Sequence, residues 1–200
     1  MISLSEKLGD YLEESTYINW KDSSIIQKAK ELADEAIDEI DLIRKTYHFV
    51  RDEIKHSWDV QDKRVTIKAS DVLRERVGIC WAKSHLLAAL LRANGIPTGI
   101  CYQRLTLGDT PDTGYCIHAL NAVYIKELNK WIRVDARGNK EGVQAEMNLD
   151  KEKLAFPIRI EYDEIDYPEI YTKPAPITIK VLEESTDALY MYIHDFPEYI

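Results

Sequence analysis

Three residues in this chain have the types and the order that nucleophilic catalysis needs: Cys80, His118 and Asp135. A sulfur nucleophile requires a base to take its proton, and the base requires a third group to orient it. Cys80 stands just ahead of an apolar helical run, Ala82–Ala93, that stops at Asn94-Gly95 with Pro97 beyond. A helix N-terminus carries roughly half a positive elementary charge, which favours thiolate over thiol. Its unpaired N–H groups can also hold a developing oxyanion. Each residue also has a plainer reading. Most free cysteines are small buried hydrophobes. His118 could be a satisfied core histidine, and Asp135 a turn former or the partner of Arg133 or Arg137.

The elements that would position these residues follow from periodicity. Residues 1–20 read as a short lead-in that docks one or two helical turns through Leu4, Leu8, Tyr11 and Leu12. Asp22 and Ser23 can cap a helix whose apolar face is Ile25, Ala29, Leu32, Ala36 and Ile40. A second helix, through Ile43, Tyr47, Val50 and Ile54, follows a break near Glu39–Asp41. Trp58–Lys68 reads as a loop with His56 at its edge, a position that suits a surface histidine. A short helix over Asp71–Arg76, capped by Ser70, leads to Gly78 and the cysteine helix.

Thr98–Leu107 and Tyr115–Ile125 carry strand formers, separated by the turn chemistry of Gly108–Gly114. Trp131–Ala136 is a third strand. Helices followed by strands in direct succession indicate an α+β fold with an antiparallel sheet. A turn centred on Glu127-Leu128 sets Leu120 opposite Asp135. That register leaves Asp135 diagonal to His118 on one sheet face, about 7–8 Å between backbones and within side-chain reach. A slip of one residue would put the carboxylate on the other face.

The chain has 200 residues, 45% hydrophobic and 30% charged, enough for one domain with a sizeable core. Its net charge of −9 and the lack of a basic cluster argue against a nucleic-acid partner. No apolar run reaches membrane-spanning length, and the amino terminus lacks signal-peptide character, so no membrane partner and a cytoplasmic location are expected. Cys80, Cys101 and Cys116 form an odd set without metal-ligand spacing, so reduced thiols and no metal or cofactor are expected.

GICWAKSHLLAALLRANGIPTGI, IHALNAVYI and WIRVDARGN, in that order, resemble the cysteine, histidine and aspartate motifs of the transglutaminase-like superfamily. The resemblance covers about residues 40–139. It implies a papain-like core, with the cysteine helix packed on an antiparallel sheet that carries the other two residues. It makes Cys80 the nucleophile, His118 the base and Asp135 its orienting group, in a catalytic core over residues 1–140. Residues 141–200 then form a C-terminal extension on the same domain. The implied substrate is a peptide or small amide, attacked to give a thioester on Cys80. Hydrolysis is favoured over transfer to an amine. The alternative is a catalytically silent binding or scaffold module on the same fold.

The sequence departs from the family where Leu120 replaces a common aromatic residue, a change expected to reshape the cleft. The family's second oxyanion donor, often an upstream Trp or Tyr, has Trp58 as its candidate. Trp81 is a further cleft candidate, though packing suits it better. Cys116 should face the same side as His118, and His85 should be structural. Lys83 should be at the surface, and Cys101 in packing. The proline-punctuated stretch Phe156–Tyr171 is expected to wrap the body, and could border the cleft, ahead of a helix over Ile177–Ile193.

Overall fold

The computed structural model describes residues 1–200. Its amino-terminal half is helical. Asp22 caps α1 (Ser23–Asp34) by accepting the Ser24 N–H at 2.9 Å, and Ile25, Ala29 and Leu32 form the buried face. The break falls slightly earlier than the sequence suggests, because Asp38 accepts the Asp41 N–H at 2.7 Å and starts α2 (Glu39–His48). The chain then widens into a π-turn, Phe49–Glu53.

Part of the expected loop is ordered structure. Lys55–His56 (β2) pairs in parallel with Val77–Gly78 (β3), after Ile2–Ser3 (β1) at the amino end, and Ser57–Val60 forms the short helix α3. Helix α4 (Ala69–Glu75) begins one residue before Ser70, with no side-chain cap. The Ser70 hydroxyl instead accepts from the Asn19 amide at 2.8 Å, which fastens the lead-in.

Helix α5 (Cys80–Ala93) starts at the cysteine itself, and every residue from Cys80 to Arg92 is buried. It is enclosed by α1, α2 and α4 on one side and by the sheet on the other. Gly95, at φ 75°, ends it in the left-handed conformation that glycine adopts without steric cost.

The sheet runs β6-β5-β4-β7, all neighbours antiparallel: β4 (Thr98–Thr106), β5 (Tyr115–Ile125), β6 (Lys130–Val134) and β7 (Ile165–Asp166). Side chains alternate across β5 as a two-residue period requires. Ile117, Ala119 and Val123 enter the main core with α5, whereas Leu120 and Ala122 join Tyr11, Cys101 and Ile170 in a smaller cluster.

Residues 141–200 build much of this body. β8 (Glu169–Ile170) pairs with β1, and β7 covers Gln103 and Arg104 of β4. The single helix expected over Ile177–Ile193 is two, α6 (Pro176–Glu184) and α7 (Ala188–His194), because Asp187 caps a new start. Ala175, Ile179, Leu182, Ala188 and Met191 lie in the main core.

The tail meets the sheet most tightly at Gly99. A Cβ there would stand 2.3 Å from Ile170 Cγ2 and 3.0 Å from the Tyr171 carbonyl. Overpacking of this kind typically costs about 1–3 kcal/mol. Gly99→Ala should therefore lower the thermal midpoint by roughly 2–10 °C, since ~1 kcal/mol moves a domain of this size by about 2–4 °C. An unchanged melting curve by circular dichroism would show that the tail does not dock there.

Candidate functional site

Cys80 occupies the first position of α5, with Ile79 as its uncapped N-cap. The helix's first backbone bond is Lys83 N–H to Ile79 O, at 2.9 Å. The N–H groups of Cys80, Trp81 and Ala82 therefore have no acceptor within the helix. Cys80 is 5% exposed, enough for its side chain to line a cleft of about 470 Å³.

His118 comes to the same cleft from β5, and Asp135 lies just past the end of β6. The β5–β6 pairs run from Ile125↔Lys130 to Asn121↔Val134. Continued by one step, that register sets Leu120 opposite Asp135, as the turn position implied. His118 Nε2 donates to Asp135 Oδ2 at 2.8 Å. Nδ1 is then left to face the Cys80 sulfur, which lies beside the same ring.

Asp135 is fully buried. Oδ1 accepts the Arg137 N–H at 3.1 Å, and Oδ2 also accepts the Ala155 N–H at 3.2 Å. Burial favours the neutral carboxyl, but the His118 ring and these donors outweigh it and lower its pKa. Burial likewise disfavours the imidazolium of His118. The Asp135 carboxylate and the Cys80 sulfur overcome that and raise its pKa from 6.5 to about 10. The plainer partners of Asp135 are engaged elsewhere. Arg133 pairs with Glu152 and Asp166, and the Arg137 guanidinium forks onto Asp59.

Several expectations need correction. Trp81 does not line the cleft: it is 1% exposed, and its indole N–H donates to the Ile117 carbonyl at 2.8 Å. Its N–H is therefore unavailable to an oxyanion. Lys83 is not at the surface. It is fully buried, and Nζ donates to the carbonyls of Arg51 and Ile54, which close the π-turn. Burial pulls its pKa down to about 7. His56 is likewise buried, at 5% exposed, and its ring lines the cleft.

Trp58 does line the cleft, half-buried, with its face stacked on Tyr192 at 4.4 Å between ring centroids. Leu120 lies in the smaller core cluster rather than in the cleft, so the departure there does not shape the site. His85 is buried with Nδ1 on the Ile67 carbonyl at 2.8 Å, and Cys101 packs in the smaller cluster. Cys116 lines the cleft as a free thiol, and burial pushes its pKa up to about 12.

Sequence reasoning offered Phe156–Tyr171 as a border of the cleft and missed the share built by α7 and the residues just after it. The Phe156 ring meets His118 edge-on at 5.2 Å, and Pro157, Arg159 and Glu164 extend that wall. Tyr192 of α7 and Phe196 just beyond it close the opposite side, where Phe196 stacks on Trp81 at 4.5 Å. The charges along the cleft are largely paired among themselves. Asp59 binds Arg137 and Lys140, and Glu164 holds Arg159 at 2.6 Å. No helix is long and apolar enough to cross a membrane.

The chain resembles several solved structures. A candidate cysteine protease from Cytophaga hutchinsonii superposes with a TM-score of 0.54 at 21% identity, over 67% of this chain and 43% of that one. The periplasmic domain of TgpA from Pseudomonas aeruginosa gives a TM-score of 0.47 at 20% identity, over 63% of this chain and 45% of that one. The chain thus spans less than half the length of either, and at 21% identity the likeness to the Cytophaga protein is one of fold. No curated protein matches the sequence. The profile of the transglutaminase-like superfamily core matches residues 26–136, from α1 through the residue after Asp135. By that match, which covers more than half of its length, the chain belongs to the transglutaminase-like superfamily.

Proposed function

We propose that this protein is a thiol enzyme that acts on amide bonds through an acyl thioester on Cys80, with His118 as base and acid and Asp135 as the group that orients it. The observation that carries this reading is the convergence of three distant segments on one cleft. A helix N-terminus supplies the sulfur, and the β5–β6 register supplies an imidazole hydrogen-bonded to a fully buried carboxylate.

His118, whose pKa is raised, takes the Cys80 proton and so provides the thiolate. The thiolate attacks the amide carbonyl carbon, and the carbonyl π pair moves onto oxygen, where the free Cys80 N–H receives it. A preorganised donor of this kind is worth about 3–4 kcal/mol of barrier. As the tetrahedral adduct collapses, His118 gives its proton to the departing amine and the acyl group remains on sulfur. Water, deprotonated by His118, then releases a carboxylic acid and regenerates the thiolate. An amine in place of water would give transamidation. We favour water and a peptide or small-amide substrate. The rival reading, a catalytically silent binding or scaffold module, requires only the fold.

The pH behaviour separates the two readings. The folded-state pKa of His118 lies above its ordinary 6.5, so its stabilising charge is fully present below 6.5 and is lost as pH rises through about 10. Asp135 is shifted the other way, so its contribution is present above the ordinary carboxylate range and fades in acid. Iodoacetamide should accordingly modify Cys80 rapidly at pH 6, with little gain in rate up to pH 9. His118→Ala should slow the reaction at pH 6 by at least about tenfold, and Asp135→Asn should do so less severely. Ordinary thiol kinetics with a midpoint near 8.5, read by mass spectrometry at Cys80, would support the silent module instead.

The acceptor has its own test. Labelled peptides incubated with and without a primary amine should yield mainly the free acid in both cases. Predominant amine adducts would reassign the protein as an acyltransferase.

A further inference from the structure

One buried polar group in the cleft has no task in the scheme above. His56 is 5% exposed, lines the same cleft as Cys80 and His118, and leaves Nδ1 without any hydrogen-bond partner. Leaving a polar atom buried and unpaired costs free energy, and of the few such atoms in this chain His56 Nδ1 belongs to a residue that lines the cleft.

The surroundings fix where this ring stands. The parallel pairing of β2 with β3 sets His56 directly across from Gly78, two residues before the nucleophile. A Cβ on Gly78 would come within 2.9 Å of Thr66 Oγ1 and 3.2 Å of Ala82 Cβ, so the two strands are seated closely against the start of α5. Lys83, one turn into that helix, grips the Ile54 carbonyl two residues before His56. Tyr192 meets the ring edge-on at 6.4 Å between centroids.

The same surroundings keep the ring neutral. Burial is the main cause, and the positive charges of Arg137, Lys83 and His118 add to it against the single opposing carboxylate of Asp59. A neutral imidazole carries one N–H and cannot compete with His118 for the thiol proton. It can donate to a developing negative charge without itself titrating in the working range.

Building on the acyl-transfer reading, we propose that His56 is a catalytic residue that donates a hydrogen bond to the oxyanion, opposite the Cys80 backbone N–H. Trp58, the candidate that the sequence put forward, is stacked flat on Tyr192 and half-buried, and it serves as a wall of the cleft.

A reversible aldehyde tests this without any need to know the substrate. The Cys80 thiolate adds to the carbonyl carbon of N-acetylglycinal, the π pair moves to oxygen, and His118 returns the proton. The product is a hemithioacetal whose oxygen occupies the oxyanion position. Protection of Cys80 from iodoacetamide then reports the affinity. Alkylation itself displaces iodide and builds no oxyanion, so its rate reports the thiolate pair alone.

His56→Ala should weaken protection by about 100-fold or more while leaving the alkylation rate within about twofold. His56→Gln, which restores a donor, should recover at least tenfold, and Trp58→Phe should change protection little. Circular dichroism identifies a variant that has not folded, and His56→Gln then carries the comparison through its pH-independent protection. Equal protection in wild type and His56→Ala overturns the proposal, as does absence of protection in the wild type or a larger loss in Trp58→Phe. A parallel fall in alkylation would place the ring in service of the sulfur instead. Slow alkylation of the wild type at pH 6 would sink the acyl-transfer reading itself, a separate result.

Discussion

The hydrogen bond from His118 to Asp135 exists in only one register of β5 against β6. Strand side chains alternate with a period of two, so a slip of a single residue would send the carboxylate through the sheet. The observed pairs, Asn121↔Val134 through Ile125↔Lys130, hold that register. What holds the pairs is burial. Val123 and Ile125 pack into the main core beside Ile132 and Val134, so a shifted strand would trade apolar burial for exposure of the same residues. The geometry of the site is thus a by-product of core packing at the far end of the same two strands. Asp135 reinforces it from the other side, because its oxygens also hold Arg137 and Ala155 and so fix the chain as it leaves the sheet.

A second constraint comes from helix α5, which begins at Cys80. With Cys80 to Arg92 all buried, α5 has no solvent face on which to leave its polar side chains. Four of them find backbone partners in other segments. Trp81 donates to β5, Lys83 to the π-turn, and His85 to the chain before α4. Arg92 joins the carbonyls of Glu13, Thr98 and Thr172, which belong to the lead-in, the sheet and the tail. These bonds add less net stability than their number suggests, since each replaces a bond to water. Their effect is directional. They specify where the lead-in, the π-turn, the chain before α4, the sheet and the tail sit relative to Cys80, which apolar packing alone does not do.

The parts of this architecture that were legible in the sequence are those with a periodic signal. The strands Thr98–Thr106 and Tyr115–Ile125 and the cap at Asp22 came out nearly at their observed limits, because alternation and capping chemistry are local properties. The pairing of His118 with Asp135 was reachable because a short turn fixes strand register. Lys83 and His56 were misplaced for a shared reason. A helix buried on every side has no polar face to mark its lysine as unusual, and strands of two residues, like β2 and β3, are too short to show any period. Both residues read as surface groups until their neighbours in space are known.

The tail was legible only in part: the stretch from Phe156 was offered as a border of the cleft, whereas nothing pointed to α7. Phe156 on one wall, and Tyr192 with Phe196 on the other, come from segments whose order is set by single caps and by docking on the sheet. The superfamily match ends at residue 136, so these walls lie outside the part of the chain that the family shares. Cys80, His118 and Asp135 thus lie in the matched part, whereas much of the cleft's boundary lies beyond it. The two parts are tied together at β6, where Arg133 holds Asp166, and at Asp135, which accepts the Ala155 N–H. The charges along those walls follow the same logic. Arg159 is spent on Glu164, and Arg137 on Asp59, which leaves aromatic faces and backbone groups to contact whatever enters. Binding an ion along these walls would require one of the paired side chains to surrender its partner.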